Sequence, residues 1–242
     1  MFERGVTTVA LWSGPLVLLG YLLGSIPIAL LWRRARLRRA LDRDPAEQPD
    51  RAAVGREGET LVVFFEAAMA VLAAHIAWQV ISGLAPGGGT PANPFDDVSP
   101  IAVFSAQALT AWQSVALWAG YAAVLGHIAP VWTRFRGGTG IPPVIGLTFV
   151  YLPTVFASGV FGFFAGLAIT RNRRLAIVVA VPVALIFEWF AWVFDWNPGW
   201  GLRSGAEPTM WVLMTGLLLI ARNAFDPQWD LPWLPPRPER ND

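Results

Sequence analysis

The chain has 242 residues, 55% of them hydrophobic and 14% charged, with a formal net charge of +1; such a composition, with apolar runs near the roughly 20 residues of a spanning helix, places it in a bilayer and removes the electrostatic case for nucleic acid. It has no cysteine, which excludes disulfides and thiol chemistry, and only His75 and His127 as histidines, short of the usual ligands of a transition-metal site. All eighteen basic residues are arginine, which excludes Schiff-base and lysine-base chemistry.

The first apolar run exceeds a signal-peptide core and lacks a small-residue cleavage site, so a retained helix is expected at 8–32. Gly24-Ser25-Ile26-Pro27 interrupts it: Pro27 removes a helical hydrogen bond and frees a carbonyl near Leu23, giving a kink that Ser25 helps to satisfy. The loop 33–59 carries eight arginines, five of them (Arg33, Arg34, Arg36, Arg38, Arg39) beside the membrane, each worth about 1 kcal/mol on an anionic leaflet. A second span is expected at 60–81. Glu66 lies one to two turns inside it, where a carboxylate is costly enough to suggest function, against a bland reading as an interfacial group reaching headgroups or Arg56. His75, deeper, reads as a packing histidine. The loop 82–100 is glycine-rich and nearly uncharged.

The third span, 101–128, runs into Gly126-His127-Ile128-Ala129-Pro130 and then the basic turn Arg134-Phe135-Arg136-Gly137-Gly138-Thr139-Gly140. Glycine amides beside guanidinium groups, leading into a helix N-terminus, favour a phosphate-like anion. The competing reading is a tight turn whose arginines anchor one face of the membrane. The fourth span, 141–152, is short for about 30 Å of hydrocarbon, so it is either buried against its neighbours or crosses incompletely; Pro153 marks its join to the fifth, 154–170. Gly162 and Gly166 have the spacing that lets helices approach closely. In the sixth span, 175–194, Glu188 and Asp195 stand among Trp189, Trp192 and Trp196, which reads as an interfacial belt. The seventh is 209–221. Residues 1–231 read as one membrane domain and 232–242 as an irregular proline-rich tail. Internal repeats, H-E-x-x-H, Walker loops and Ser-His-Asp arrangements are absent.

Seven crossings put sixteen of the eighteen arginines on one side, leaving only Arg4 and Arg203 on the other, as the positive-inside rule requires. The expectation is an all-α integral membrane protein of about seven transmembrane helices, with the N-terminus outside, the C-terminus cytoplasmic and the glycine-rich turn at the cytoplasmic face of the cell membrane.

Tyr21-Leu22-Leu23-Gly24-Ser25-Ile26-Pro27, Gly126-His127-x-x-Pro130-Val131 and Phe135-Arg136-Gly137-Gly138-Thr139-Gly140 resemble, in order and spacing, successive motifs of the bacterial acyl-phosphate:glycerol-3-phosphate acyltransferases. Thr170-Arg171 and Ala221-Arg222-Asn223 resemble their motifs before span six and closing span seven. The resemblance implies transfer of a fatty acyl group from acyl phosphate to glycerol 3-phosphate in phospholipid synthesis, with acyl phosphate, glycerol 3-phosphate and membrane phospholipid as partners. It implies no metal or bound cofactor, and catalytic roles for Thr60, His127, Arg136 and Arg222. Substrate phosphate would be held by Ser25, Arg136, Gly137, Gly138, Thr139, Gly140, Arg171 and Asn223. The chain also departs from the family pattern. Lys-Gly-Gly-Lys-Gly is here Arg136-Gly137-Gly138-Thr139-Gly140, the Asp of a span-two motif falls on Glu66, a family arginine falls on Phe64, and both asparagines before span two are gone. Pro142-Pro143 follows the turn where the family has Ala-Thr, Arg174 replaces a serine, and Asn223 and Asp226 replace the closing His and Asn. The alternative is a non-catalytic relative that binds phospholipid or a lipid-synthesis partner. A small transporter is disfavoured by the scarcity of midplane charges and of repeats.

Overall fold

Inside a bilayer a chain must satisfy its own backbone polar groups, and apolar runs do so as helices. The computed structural model describes residues 2–32, 34–35, 59–84, 110–196, 200–202 and 204–225. Within them the chain forms α1 (Phe2–Gly24), α2 (Glu59–Leu84), α3 (Thr110–Ile128), α4 (Ile141–Tyr151), α5 (Pro153–Thr170), α6 (Arg173–Val193) and α7 (Ala206–Phe225). Among the described residues, five helices are long and apolar enough to cross a membrane: Ala10–Trp32, Thr60–Ile81, Ser114–Thr133, Pro153–Thr170 and Arg173–Val193. The seven expected apolar runs thus all contain helix, in an all-α membrane fold. Residues 101–109 of the third run, 36–58 of the charged loop, 85–100 of the glycine-rich loop and the tail from 226 lie outside the described residues.

The break in α1 follows from Pro27. The helix ends at Gly24, helical backbone resumes at 28–32, and the Leu23 carbonyl accepts from the Ile26 amide at 3.3 Å. Ser25 closes the break, its amide and hydroxyl both donating to the Tyr21 carbonyl, at 2.9 and 2.7 Å.

Without a hydrophobic driving force between helices in lipid, close packing and a few hydrogen bonds hold the bundle together. Glycines and alanines supply the contact. Gly20 and Gly24 of α1 lie against the backbone of Ala119 and Ala123 on α3, and Ala70, Ala73, Ala74 and Ala77 of α2 are buried. The spacing of Gly162 and Gly166 does bring α5 onto α6: a methyl at Gly166 would stand 3.0 Å from the Ala176 Cα, and one at Gly162 the same distance from that of Ala180. The indole of Trp211 on α7 donates to the Leu117 carbonyl on α3 at 2.8 Å. Large side chains such as Phe161, Phe164 and Ile169 remain exposed, as lipid-facing positions should be.

α4 has eleven residues, about 16 Å at 1.5 Å per residue. It survives its shortness by burial, with Leu147, Thr148 and Tyr151 enclosed. Its far end is clamped where the Leu202 amide donates to the Tyr151 carbonyl at 2.6 Å and the Trp200 indole to Phe149 at 2.9 Å. Glu188, expected among the tryptophans of the interfacial belt, is itself 1% exposed while Trp189, Trp192 and Trp196 are exposed, because it shares a face of α6 with Val181, which packs against Gly216 of α7. Among the described arginines, Arg34, Arg134, Arg136, Arg171, Arg173, Arg174 and Arg222 gather at the end of the bundle that carries the turn, and Arg4 is at the other.

Candidate active site

The site grows from the end of α3. The last helical hydrogen bond there runs from the Ala129 amide to Leu125 at 2.8 Å. Pro130 then takes extended backbone and opens a single 3-10 turn over Val131–Thr133. Arg134 and Phe135 follow in the left-handed region, with φ of 55° and 63°. For non-glycine residues that costs about 1–2 kcal/mol each, and it persists because the turn closes on itself. The amides of Thr133 and Phe135 donate to the Pro130 carbonyl at 3.2 and 3.0 Å, and the Thr133 hydroxyl donates to the Arg136 carbonyl at 2.6 Å. Trp132, Arg134, Phe135 and Arg136 are left on the outside.

The next four residues fold back over α3. The Gly138 amide donates to the His127 carbonyl at 2.8 Å. A methyl on Gly137 would collide with that carbonyl and with Pro130, and one on Gly138 would collide with the His127 imidazole. Gly140 caps α4 with φ of 79°. The glycines are therefore required first by close packing of the turn on α3. α7 latches the turn from the other side. Arg222 donates through Nε to the Gly138 carbonyl at 3.3 Å and through Nη2 to the Gly137 carbonyl at 3.2 Å, and the Asn223 amide donates to the Thr139 carbonyl at 3.1 Å. On the α1 side the Tyr21 hydroxyl donates to the Ala129 carbonyl at 2.8 Å.

The donors left for a ligand can be counted. Among the described residues, the backbone amides of Gly137, Thr139 and Gly140 donate to no protein group. The first turn of α4 adds nothing: the Ile141 amide is directed at the Thr139 hydroxyl at 3.4 Å, Pro142 and Pro143 have no N–H, and the Val144 amide turns to Gly140. The expected role of the helix N-terminus in anion binding is thereby lost to the two prolines. What remains is three turn amides beside the exposed Arg136.

Behind the turn, His127 Nε2 stands 4.0 Å from Glu66 Oε2, the two side chains 10% and 11% exposed. The sequence offered Glu66 and His127 separately; 61 residues apart, their meeting carries no sequence signal. Thr60 lies exposed in the first turn of α2, at the same end of the bundle. Arg171 caps α5 in the left-handed region with φ of 51° and is exposed. No hydrogen bond among the described residues joins the side chain of either to the turn. Ser25 is fully buried beneath Gly126, its hydroxyl engaged with Tyr21, so it shapes the turn from below. Tyr21, at the head of the first motif, holds the turn through a contact 108 residues away in sequence, which no local spacing encodes. His75 is satisfied by Gln79, with 3.3 Å between Nε2 atoms. Among the described residues no group of three or more His, Asp or Glu is placed to hold a metal.

A family model described as glycerol-3-phosphate acyltransferase matches residues 15–226. Glycerol-3-phosphate acyltransferase 2 of Bacillus cereus is 43% identical over 70 residues, 29% of this chain and 35% of that protein. The glycerol-3-phosphate acyltransferase of Pseudomonas syringae pv. syringae is 38% identical over 68 residues, 28% of this chain and 35% of its own length. The chain thus spans about a third of the length of these curated relatives. A crystal structure of PlsY (YgiH), an integral membrane glycerol 3-phosphate acyltransferase in its glycerol 3-phosphate form, superposes with a TM-score of 0.54 at 21% identity, covering 88% of each chain. At that identity the likeness is one of fold.

Proposed function

The chain belongs to the glycerol-3-phosphate acyltransferase family, and on that premise we propose that it moves a fatty acyl group from acyl phosphate to glycerol 3-phosphate, giving lysophosphatidic acid for phospholipid synthesis. The observation that carries this reading is the set of three undonated amides, Gly137, Thr139 and Gly140, beside Arg136 on a turn latched from both sides. Amides fixed in this way lose nothing to reorganisation when phosphate charge develops against them, which is where preorganised donors lower a barrier most. Arg136 supplies the positive charge and Arg222 fixes the turn. His127, reached from the turn side, orients the acceptor hydroxyl. Thr60 and Arg171 flank the same end and serve the acyl phosphate. The exposed Trp132 and Phe135 stand where the acyl chain passes between turn and lipid. The concentration of arginines at this end supports its cytoplasmic placement.

A non-catalytic role gains support from one feature: two donors of Arg222 are spent on protein carbonyls, and Thr139 brings no charge. The test is acyl transfer by the purified protein in lipid, offered acyl phosphate and radiolabelled glycerol 3-phosphate. Labelled lysophosphatidic acid, reduced at least tenfold in Arg136→Ala, supports the enzyme; no product from folded protein sinks it. Flux of unmodified substrate into sealed vesicles would point to transport instead.

A further inference from the structure

Residues 133–136 form a tight turn with two consecutive non-glycine residues in the left-handed region. Arg134 has φ of 55° and Phe135 of 63°, and the Arg136 amide donates to the Thr133 carbonyl at 3.2 Å. That is a type I′ turn, whose two central positions usually hold Asn and Gly because a Cβ is disfavoured there. The bonds that close it use main-chain groups and the Thr133 hydroxyl. Among the described residues the side chains of Arg134 and Phe135 make no hydrogen bond, ion pair or ring contact. The fold therefore keeps a strained Arg-Phe pair that it does not use for its own closure, and strain of that kind clusters at functional positions.

The third span ends at Thr133, so the tip of the turn stands at the boundary of the bilayer. Trp132 and Phe135 are 65% and 64% exposed, Val131 is 41% exposed, and Arg134, between them in sequence, is exposed as well. Aromatic rings favour the headgroup level of a membrane, and an arginine beside them favours an anionic phosphate. Membrane topology requires arginines at this end of the bundle, but not in a left-handed turn, so topology alone does not explain Arg134. We propose that the tip, residues 131–135, is a docking surface for an anionic phospholipid of the adjoining leaflet, with the lipid phosphate on Arg134 and its acyl chains alongside Trp132 and Phe135. Arg134 is three residues from Gly137, at most about 10 Å of chain. A tip seated among headgroups thus holds the undonated amides of Gly137, Thr139 and Gly140 near the depth of the lipid phosphates. The inference goes beyond the acyltransferase reading and does not depend on it, since this lipid is bound and not transformed.

The test is hydrogen exchange at the Arg136 amide, which is released when this turn opens, in nanodiscs of phosphatidylcholine alone and of phosphatidylcholine mixed with phosphatidylglycerol. Wild-type exchange should be about fivefold slower with phosphatidylglycerol, the effect of about 1 kcal/mol for one arginine on an anionic surface, and high salt should remove the difference. Arg134→Gln should abolish the lipid dependence and Arg134→Lys should keep it. Arg134→Gly relieves the left-handed strain, so its thermal midpoint in phosphatidylcholine should be at or above that of the wild type, again without lipid dependence. Equal wild-type exchange in the two lipids overturns the proposal, whether the tip is open to water or covered by another part of this chain. So does an Arg134→Gln variant that responds to phosphatidylglycerol as the wild type does, because the other arginines of this end then account for the effect. An Arg134→Gly variant with a lowered midpoint overturns it too, as it makes Arg134 a structural member of the turn. None of these readouts requires turnover, so their failure leaves the acyltransferase reading standing.

Discussion

Removing the Arg222 side chain should unseat the turn without unfolding the bundle. Arg222 gives two charged hydrogen bonds, Nε to the Gly138 carbonyl at 3.3 Å and Nη2 to the Gly137 carbonyl at 3.2 Å. Bonds from charged donors contribute about 1.5–3 kcal/mol each, and the long distances favour the lower figure, giving about 3 kcal/mol for the pair. At about 1.4 kcal/mol per tenfold, the lifted turn becomes about 100 times more populated in Arg222→Ala. The reporter is the Gly138 amide, which donates to the His127 carbonyl at 2.8 Å and is released when the turn lifts. Its hydrogen exchange, measured in lipid nanodiscs, should accelerate about 100-fold. The Leu202 amide, bonded to Tyr151 at the opposite end of the bundle, is the control and should exchange at its wild-type rate. Arg222→Lys retains one of the two contacts and should give about a tenfold effect. Unchanged exchange at Gly138, or equal acceleration at Gly138 and Leu202, would refute the assignment of Arg222 as the latch.

Gly138→Ala places a methyl on the imidazole of His127; the ring must move, and a displacement of about 1 Å at a reacting group costs about 100-fold in kcat, with glycerol 3-phosphate affinity changed far less. Tyr21→Phe loses the bond to the Ala129 carbonyl and should lower stability by about 1 kcal/mol, read as a small drop in the thermal midpoint in detergent. Gly24→Ala drives a methyl into the backbone of Ala123, which stands 2.6 Å away at its Cα; overpacking against backbone that cannot yield costs about 1–3 kcal/mol or more, and the same measurement should show a larger loss than for Tyr21→Phe.

Helix positions were legible because the length of an apolar run reports bilayer thickness, and arginine placement reports which ends lie together. The ends of helices were less so: α7 extends from Ala206 to Phe225, beyond the expected 209–221, because Glu207, Arg222 and Asn223 are polar yet helical. The glycine turn was visible as a turn, but two chemistries write the same residues. Glycine needed for a phosphate and glycine needed for packing look alike in sequence, and Gly137 and Gly138 meet the packing demand first. Pro142 and Pro143 could have been weighed at once, since proline has no N–H to offer an anion. The contacts of Arg222 and Asn223 with the turn join residues 84 or 85 apart, and those of Glu66 with His127 depend on the packing of α2 on α3; neither is encoded in local spacing.

The most direct measurement is equilibrium binding of radiolabelled glycerol 3-phosphate to the purified protein in nanodiscs, comparing wild type with Arg136→Ala. Binding that weakens at least tenfold in Arg136→Ala, a loss of about 1.4 kcal/mol, is the predicted result. Equal binding by the two proteins would contradict the placement of the phosphate at this turn.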